Sequence, residues 1–407
     1  MYDLAIHGKV FVDGLAERWV LIRGSRIAKV SSEPLGKASA TIELDPGQFL
    51  MPSATDVHVH LRDWSQTEKE TVETGTKSAL AGGVTTVAEM PNTMPKLETA
   101  ELVAARVALL GERSFADFAV HASAPSEKTE ISRMKRSGAF ALKLYPPDLR
   151  RFASLQKGAV AAGMKVAVHA EEESLTGTVR SAEAERVAVG EILAQVGQDS
   201  QVRLAHLSTK EAAIAAVAAR KTHKGLTIEV APHHLFMDRR TAESRIGVAS
   251  KVNPQLRTRA NANAMRRLLE DGQFDFYATD HAPHTEDEKL TKGAPGFPGL
   301  EIALPLFLTK TDDLSLACRM YCERPAAYLG LKKGMIRPGY QADLVIMTRR
   351  SWKVDPRKFV SKGRVTPFAG ELLSFGIDQV FMGGSTVYHE GRFFKRPAQL
   401  VSGGARH

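Results

Sequence analysis

Cysteine is nearly absent from this chain: only Cys318 and Cys322 occur in 407 residues. Four apart in a stretch that reads as helical, they share a face without the geometry of a disulfide, so the expectation is two reduced core thiols and no disulfide framework. Long apolar runs are also missing. None approaches the roughly 20 residues a membrane span requires, which excludes a helical membrane protein. The opening Met1-Tyr2-Asp3-Leu4 lacks the basic and then apolar pattern of a secretory signal, so a cytoplasmic location is expected. Aromatic residues make up 7% of the chain and do not interleave with the basic ones, which are dispersed. The net charge of +9 therefore gives no nucleic-acid surface, and an anionic small substrate or plain solubility accounts for it. There is no solenoid repeat, coiled coil or low-complexity linker, and Pro397 to His407 reads as a frayed end.

What is present is enough apolar content, 43%, for a sizeable core. From about residue 50 to 330, short apolar β-branched runs alternate with Ala-rich helical stretches such as Thr67 to Ala81, Thr99 to Glu112, Ser181 to Val196 and Lys210 to Arg220. Eight strand ends fall near His60, Glu89, His121, Lys143, His169, His206, Ala231 and Asp280. This predicts the α/β class: a (β/α)8 TIM-like barrel whose functional groups stand at the C-terminal ends of its strands. Both ends of the chain differ from this pattern. Leu4 to Val12, Trp19 to Ile22 and Ile27 to Val30 read as strands, as do Gly339 to Met347, Gln379 to Met382 and Thr386 to Tyr388. The expected organisation is a barrel over 51–334, a small β-sandwich domain made from 1–50 plus 335–396, and a tail over 397–407.

Metal-ligand residue types recur at those strand ends. His58 and His60, two apart on an extended segment, project to the same side and can chelate one ion, while His169 and His206 arrive from later strands to bind a second. Asp280 closes the eighth strand, where one oxygen can hold a metal while the other accepts a proton. Four imidazoles and a carboxylate suit zinc or a neighbouring borderline metal. His121 has no partner spacing and reads as structural. Lys143 ends the fourth strand; beside two dications an ammonium is disfavoured, and a neutral amine can take up carbon dioxide to become an anionic, carboxylate-like bridge. Arg62, two residues beyond the histidine pair, carries a fork of donors suited to a carboxylate.

The chain resembles the amidohydrolase superfamily and, within it, the dihydroorotases. The matching segments are D-V-H-V-H-L-R at Asp56 to Arg62, A-L-A-G-G-V-T-T-V at Ala79 to Val87, M-P-N-T at Met90 to Thr93 and K-L-Y at Lys143 to Tyr145. They continue with V-H-A-E at Val168 to Glu171, E-V-A-P-H-H-L-F at Glu229 to Phe236, D-H-A-P-H-T at Asp280 to Thr285 and P-G-F-P-G-L-E at Pro295 to Glu301. The resemblance implies zinc-dependent, reversible cyclisation of N-carbamoyl-L-aspartate to L-dihydroorotate, a step of de novo pyrimidine synthesis. It implies two Zn2+ per subunit, bridged by carboxylated Lys143 and hydroxide and held by His58, His60, His169, His206 and Asp280, with Asp280 also the proton shuttle. Arg62, Asn92 and His284 would grip the substrate carboxylate, and Asn253 with the Pro295-Gly296 backbone would line the rest. It leaves open a homodimer and an association with aspartate transcarbamoylase. Asp63-Trp64-Ser65 stands where many relatives have Glu-Pro-Gly, which predicts a different turn beside Arg62. The competing readings are an allantoinase or dihydropyrimidinase, and a non-catalytic structural subunit. Arg62 and Asn92 argue against the first, because an uncharged ring needs no such grip, and the intact ligand set argues against the second.

Overall fold

The computed structural model describes residues 1–34, 36–177 and 180–402. Eight strands, Ala54–Val59, Val84–Glu89, Asp117–Ser123, Ala139–Leu144, Lys165–Val168, Val202–Leu204, Leu226–Val230 and Phe276–Tyr277, form one parallel sheet in chain order. The last strand returns to the first. Val59 pairs with His281, the His60 N–H donates to the His281 carbonyl at 2.8 Å, and the Thr279 N–H reaches the Asp56 carboxylate at 3.1 Å. Buried Asp56 also takes the His58 N–H at 3.0 Å and the Tyr321 hydroxyl at 2.8 Å, so it ties the closing seam beneath the histidine pair.

These strands are buried on both faces, so polar residues such as Asp56, His58, Thr86 and Glu89 are enclosed along with the apolar ones. Along Ala139–Leu144, Leu142 and Leu144 belong to the main apolar core, whereas fully buried Lys143 lies between them on the other face. The helices begin on side-chain caps: Thr99, Ser181 and Thr209 each accept a backbone N–H of the first turn of the helices Ala100–Arg113, Ala182–Gln195 and Lys210–Ala219. The stretch expected to be helical from Thr67 enters its helix only at Val72, because Thr71 is the cap and shares a capping box with Thr74.

The terminal segments meet in a second sheet of nine strands. Tyr2–Phe11 pairs antiparallel with Leu15–Arg23, which pairs with Arg26–Ser31. Gln48–Pro52 joins the N-terminal part to Leu344–Lys353, with Leu50 opposite Ile346. Leu372–Met382, Ser385–His389 and Arg392–Phe393 continue the sheet outward. Ile6, Val10, Val20, Leu50, Leu344 and Phe381 belong to a separate apolar cluster within it. Ala38–Glu43, parallel to the first strand, was not expected from the sequence.

Cys318 and Cys322 are free and buried in a π-helical turn, Cys318–Glu323. The tail differs from a frayed end as far as Ser402. Phe118 donates its N–H to the Gln399 carbonyl at 3.0 Å, Val401 donates back to Phe118 at 2.7 Å, and Val401 is buried. Residues 403–407 lie outside the described part. Among the described residues, no helix is long and apolar enough to cross a membrane.

Candidate metal centre

The C-terminal mouth of the barrel holds a cavity of about 170 Å³, walled by His58, His60, His169, His206 and Asp280 among others. His206 (φ 36) and Asp280 (φ 49) turn through left-handed backbone where their strands end, a conformation that persists only where the surroundings enforce it. The proton positions on the imidazoles follow from their partners. His58 Nδ1 lies 2.7 Å from Glu229 Oε1 and His60 Nδ1 lies 2.6 Å from Asn92 Oδ1, so both rings donate from Nδ1 and keep a lone pair on Nε2. Burial holds the pKa of each well below the ordinary histidine value, so neither ring becomes an imidazolium. Both Nε2 atoms face the same carboxylate oxygen, Asp280 Oδ1, at 3.3 and 3.2 Å.

Three electron-pair donors thus converge with no proton between them, and His58, His60 and Asp280 each offer an atom within 4.8 Å of the others'. Burial raises the Asp280 carboxyl to about 6, so near neutral pH it is largely a carboxylate, and the arrangement calls for a cation. The donor set fits a borderline divalent metal.

His169 and His206 stand beside this group. Their ring centroids are 4.5 Å apart, and His206 lies 5.0 Å from His58. His169 gives its Nε2 proton to Glu171 Oε2 at 2.6 Å, which turns Nδ1 into its free donor, and buried His206 Nδ1 has no partner among the described residues. Lys143 Nζ is fully buried and likewise unpartnered. Burial pulls its pKa down to about 7, against the opposing field of Glu229, so an appreciable fraction is neutral amine near neutral pH. His121 is engaged elsewhere: it lies 2.9 Å from the Glu89 carbonyl through Nδ1 and 2.9 Å from Arg203 Nη2 through Nε2.

Arg62, Asn92, Asn253, Pro295 and Gly296 line the same cavity. Arg62, Asp63 and Trp64 form a left-handed turn, with φ of 53, 62 and 49. Asp63 holds it by accepting the Trp64 N–H at 2.7 Å and the Val72 N–H at 2.9 Å, while Arg106 Nη2 donates to the Arg62 carbonyl at 2.9 Å. The departure at Asp63-Trp64-Ser65 therefore builds its own anchor. Asn92 spends its carbonyl on His60 and keeps its amide nitrogen for a ligand. Gly296 spends its N–H on the Lys251 carbonyl at 3.1 Å, and at φ 131 a Cβ there would meet Ala282 at 2.6 Å, so glycine is required. His284 stands against two of these wall residues, with Nε2 3.1 Å from the Pro295 carbonyl and 3.3 Å from Arg62 Nη2, and Nδ1 3.2 Å from Glu288.

Four participants escaped the sequence reading. Tyr145, whose buried hydroxyl has no partner among the described residues, and Arg180 both line the cavity. Glu171 and Glu229 hold the imidazoles. The H-x-E spacing of His169 and Glu171, and an acidic residue inside the apolar strand Leu226–Val230, were the available signals.

The sequence matches the amidohydrolase family model over residues 49–387. The chain belongs to the amidohydrolase family. A dihydroorotase of Bacillus licheniformis is 33% identical over 414 aligned residues, spanning 93% of this chain and 96% of that protein. One from Shouchella clausii is 35% identical over 85% of this chain and 88% of that protein. Among solved structures, the L-hydantoinase (dihydropyrimidinase) of Arthrobacter aurescens superposes with a TM-score of 0.91 at 26% identity, covering 97% of this chain and 98% of that one. This amidohydrolase is thus close in sequence to dihydroorotases, and its barrel with an added β-domain is shared with a hydantoinase.

Proposed function

We propose that this amidohydrolase is a dihydroorotase, catalysing the reversible cyclisation of N-carbamoyl-L-aspartate to L-dihydroorotate. The observation that carries this is a buried guanidinium, Arg62, opening on the same small cavity as the converging donors of His58, His60 and Asp280, in a chain whose relatives are dihydroorotases. The metal set would be His58, His60, His169, His206, Asp280 and a carboxylated Lys143, holding two zinc ions. Bound there, the ions would polarise the ring carbonyl and lower the pKa of water.

The chain's own groups would supply the rest. Arg62 and the free amide nitrogen of Asn92 would hold the substrate carboxylate, with His284 bracing Arg62 and Asn253, Pro295 and Gly296 shaping the wall. In hydrolysis, Asp280 would accept a proton from the attacking water on a carboxylate oxygen and deliver it to the ring nitrogen as the C–N bond breaks; cyclisation would reverse both transfers. The neutral fraction of the Lys143 amine favours carbamate formation.

The hydantoinase-like architecture favours one other reading, hydrolysis of an uncharged cyclic amide. Turnover of L-dihydroorotate, dihydrouracil, hydantoin and allantoin, followed in parallel, separates the two. Rapid loss of dihydroorotate alone is expected. Turnover restricted to the uncharged rings would reassign the cavity.

A further inference from the structure

One carboxylate touches two of the metal-ligand histidines on strands from opposite halves of the barrel. Glu229 Oε1 lies 2.7 Å from Nδ1 of His58, at the first strand, and accepts the backbone N–H of His206, at the end of the sixth, at 3.0 Å. Its other oxygen faces Arg203 Nη1 at 3.1 Å. Glu229 and Arg203 are both completely buried. Arg203 is fixed in turn: Nη1 donates to the Val57 carbonyl at 2.8 Å, next to His58, and Nη2 donates to His121 Nε2 at 2.9 Å. That last contact explains a buried histidine at a strand end that takes no part in the ligand cluster. With His121 Nδ1–H given to the Glu89 carbonyl, its Nε2 is an acceptor, and a neutral ring takes the Arg203 Nη2 proton without adding charge.

From this geometry we infer that Glu229, oriented by Arg203, is a positioning residue that fixes the His58 tautomer and the His206 backbone together, so that the two halves of the metal site form as one unit. A carboxylate on the far nitrogen of an imidazole sets which nitrogen faces the metal, and losing such a partner weakens binding about 10- to 100-fold. Here the partner is shared. Its loss should therefore weaken both ions, not only the one His58 would hold. The left-handed backbone at His206 (φ 36) supports the same view, since this strained residue is tied by its N–H to the Glu229 carboxylate.

The inference rests on the metal reading above, and the test separates the two. Zinc affinity and stoichiometry are measured by chelator competition on metal-stripped full-length protein, with circular dichroism to confirm the fold. The variants are Glu229→Gln, the double variant Glu229→Gln/Arg203→Met, which leaves no uncompensated buried charge, and Lys333→Met/Asp343→Asn as a control. The control removes a buried ion pair, 2.6 Å, that contacts Thr85 and no histidine. Both Glu229 variants should bind both ions about 10- to 100-fold more weakly, with the control binding as wild type. A folded Glu229 variant with wild-type affinity, or one that weakens a single ion, would overturn the inference; a wild type that binds no zinc would overturn the metal reading itself. If neither Glu229 variant folds, ¹⁵N resonances of histidine-labelled wild type decide: His58 should carry its proton on Nδ1, and a proton on Nε2 would overturn the proposal.

Discussion

Replacing Arg62 by Met should separate charged from uncharged substrates. Arg62 is 7% exposed and its fork opens on the cavity, with Nε donating to the Pro283 carbonyl at 3.3 Å and Nη2 against His284. Burial lowers its pKa, opposed by nearby acidic groups, but a guanidinium remains a cation at working pH. A bidentate grip on a carboxylate makes two charge-assisted hydrogen bonds, each worth about 1.5–3 kcal/mol. Methionine leaves room for water to recover part of this, so a loss of about 3–4 kcal/mol is expected, or about 10²- to 10³-fold in kcat/KM for dihydroorotate. The fold should survive. The turn is held by Asp63 and Arg106, not by the Arg62 side chain, and the bond to Pro283 accounts for about 1 kcal/mol. The assay is steady-state hydrolysis of dihydroorotate and dihydrouracil by wild type and variant. An equal fall on both substrates, or none on either, would refute the carboxylate grip.

Lys143→Ala should lose bound metal and activity together, with partial rescue by a small carboxylate such as formate; full retention of two ions, read by elemental analysis, would contradict the bridging role. Asp280→Asn should cut turnover in both directions by at least about 100-fold in rate assays, as befits a general acid and base, and a variant keeping a tenth of wild-type activity would remove Asp280 as the shuttle. Glu301 gives a pH effect remote from the chemistry. Burial raises its carboxyl from 4.5 to about 7, with Oε1 taking the Ser361 N–H at 3.0 Å. Its folded pKa lies above its unfolded one, so the stability it contributes is present below about pH 4.5 and is lost as pH rises through about 7, a change of about 3 kcal/mol. Glu301→Gln should therefore gain on wild type in urea denaturation between pH 5 and pH 8, and a pH-independent difference would contradict this.

The barrel and the candidate ligands were legible because each ligand closes a short apolar run, so one pattern marked both the strand and its functional end. His169 after Val166-Ala167-Val168 and Asp280 after Phe276-Tyr277-Ala278 are examples. The terminal sheet was only half legible. Ala38–Glu43 has one large apolar residue and is mostly solvent-exposed, so its strand character comes from pairing with Tyr2–Phe11 and not from its own periodicity. Gln48–Pro52 is fixed by partners nearly 300 residues away in sequence. The helix at Val72 was read too long because polar Thr67 to Thr71 resemble a first helical turn until the Thr71 cap is seen. Glu229 and Arg203 were silent for another reason: a carboxylate that orients an imidazole leaves no spacing rule when its partner lies on a different strand, as Glu229 and His58 do, whereas Glu171 stands two residues after His169 and was marked by that spacing. Tail residues up to Ser402 look frayed by composition, yet their backbone bonds to Phe118 are independent of side-chain type.

Metal dependence is decided by stripping the protein of metal and adding zinc back in measured steps while following L-dihydroorotate hydrolysis. Negligible turnover is expected in the stripped protein, with a rise that levels off at two zinc ions per chain. Undiminished turnover after complete metal removal would contradict this, as would full zinc occupancy without turnover.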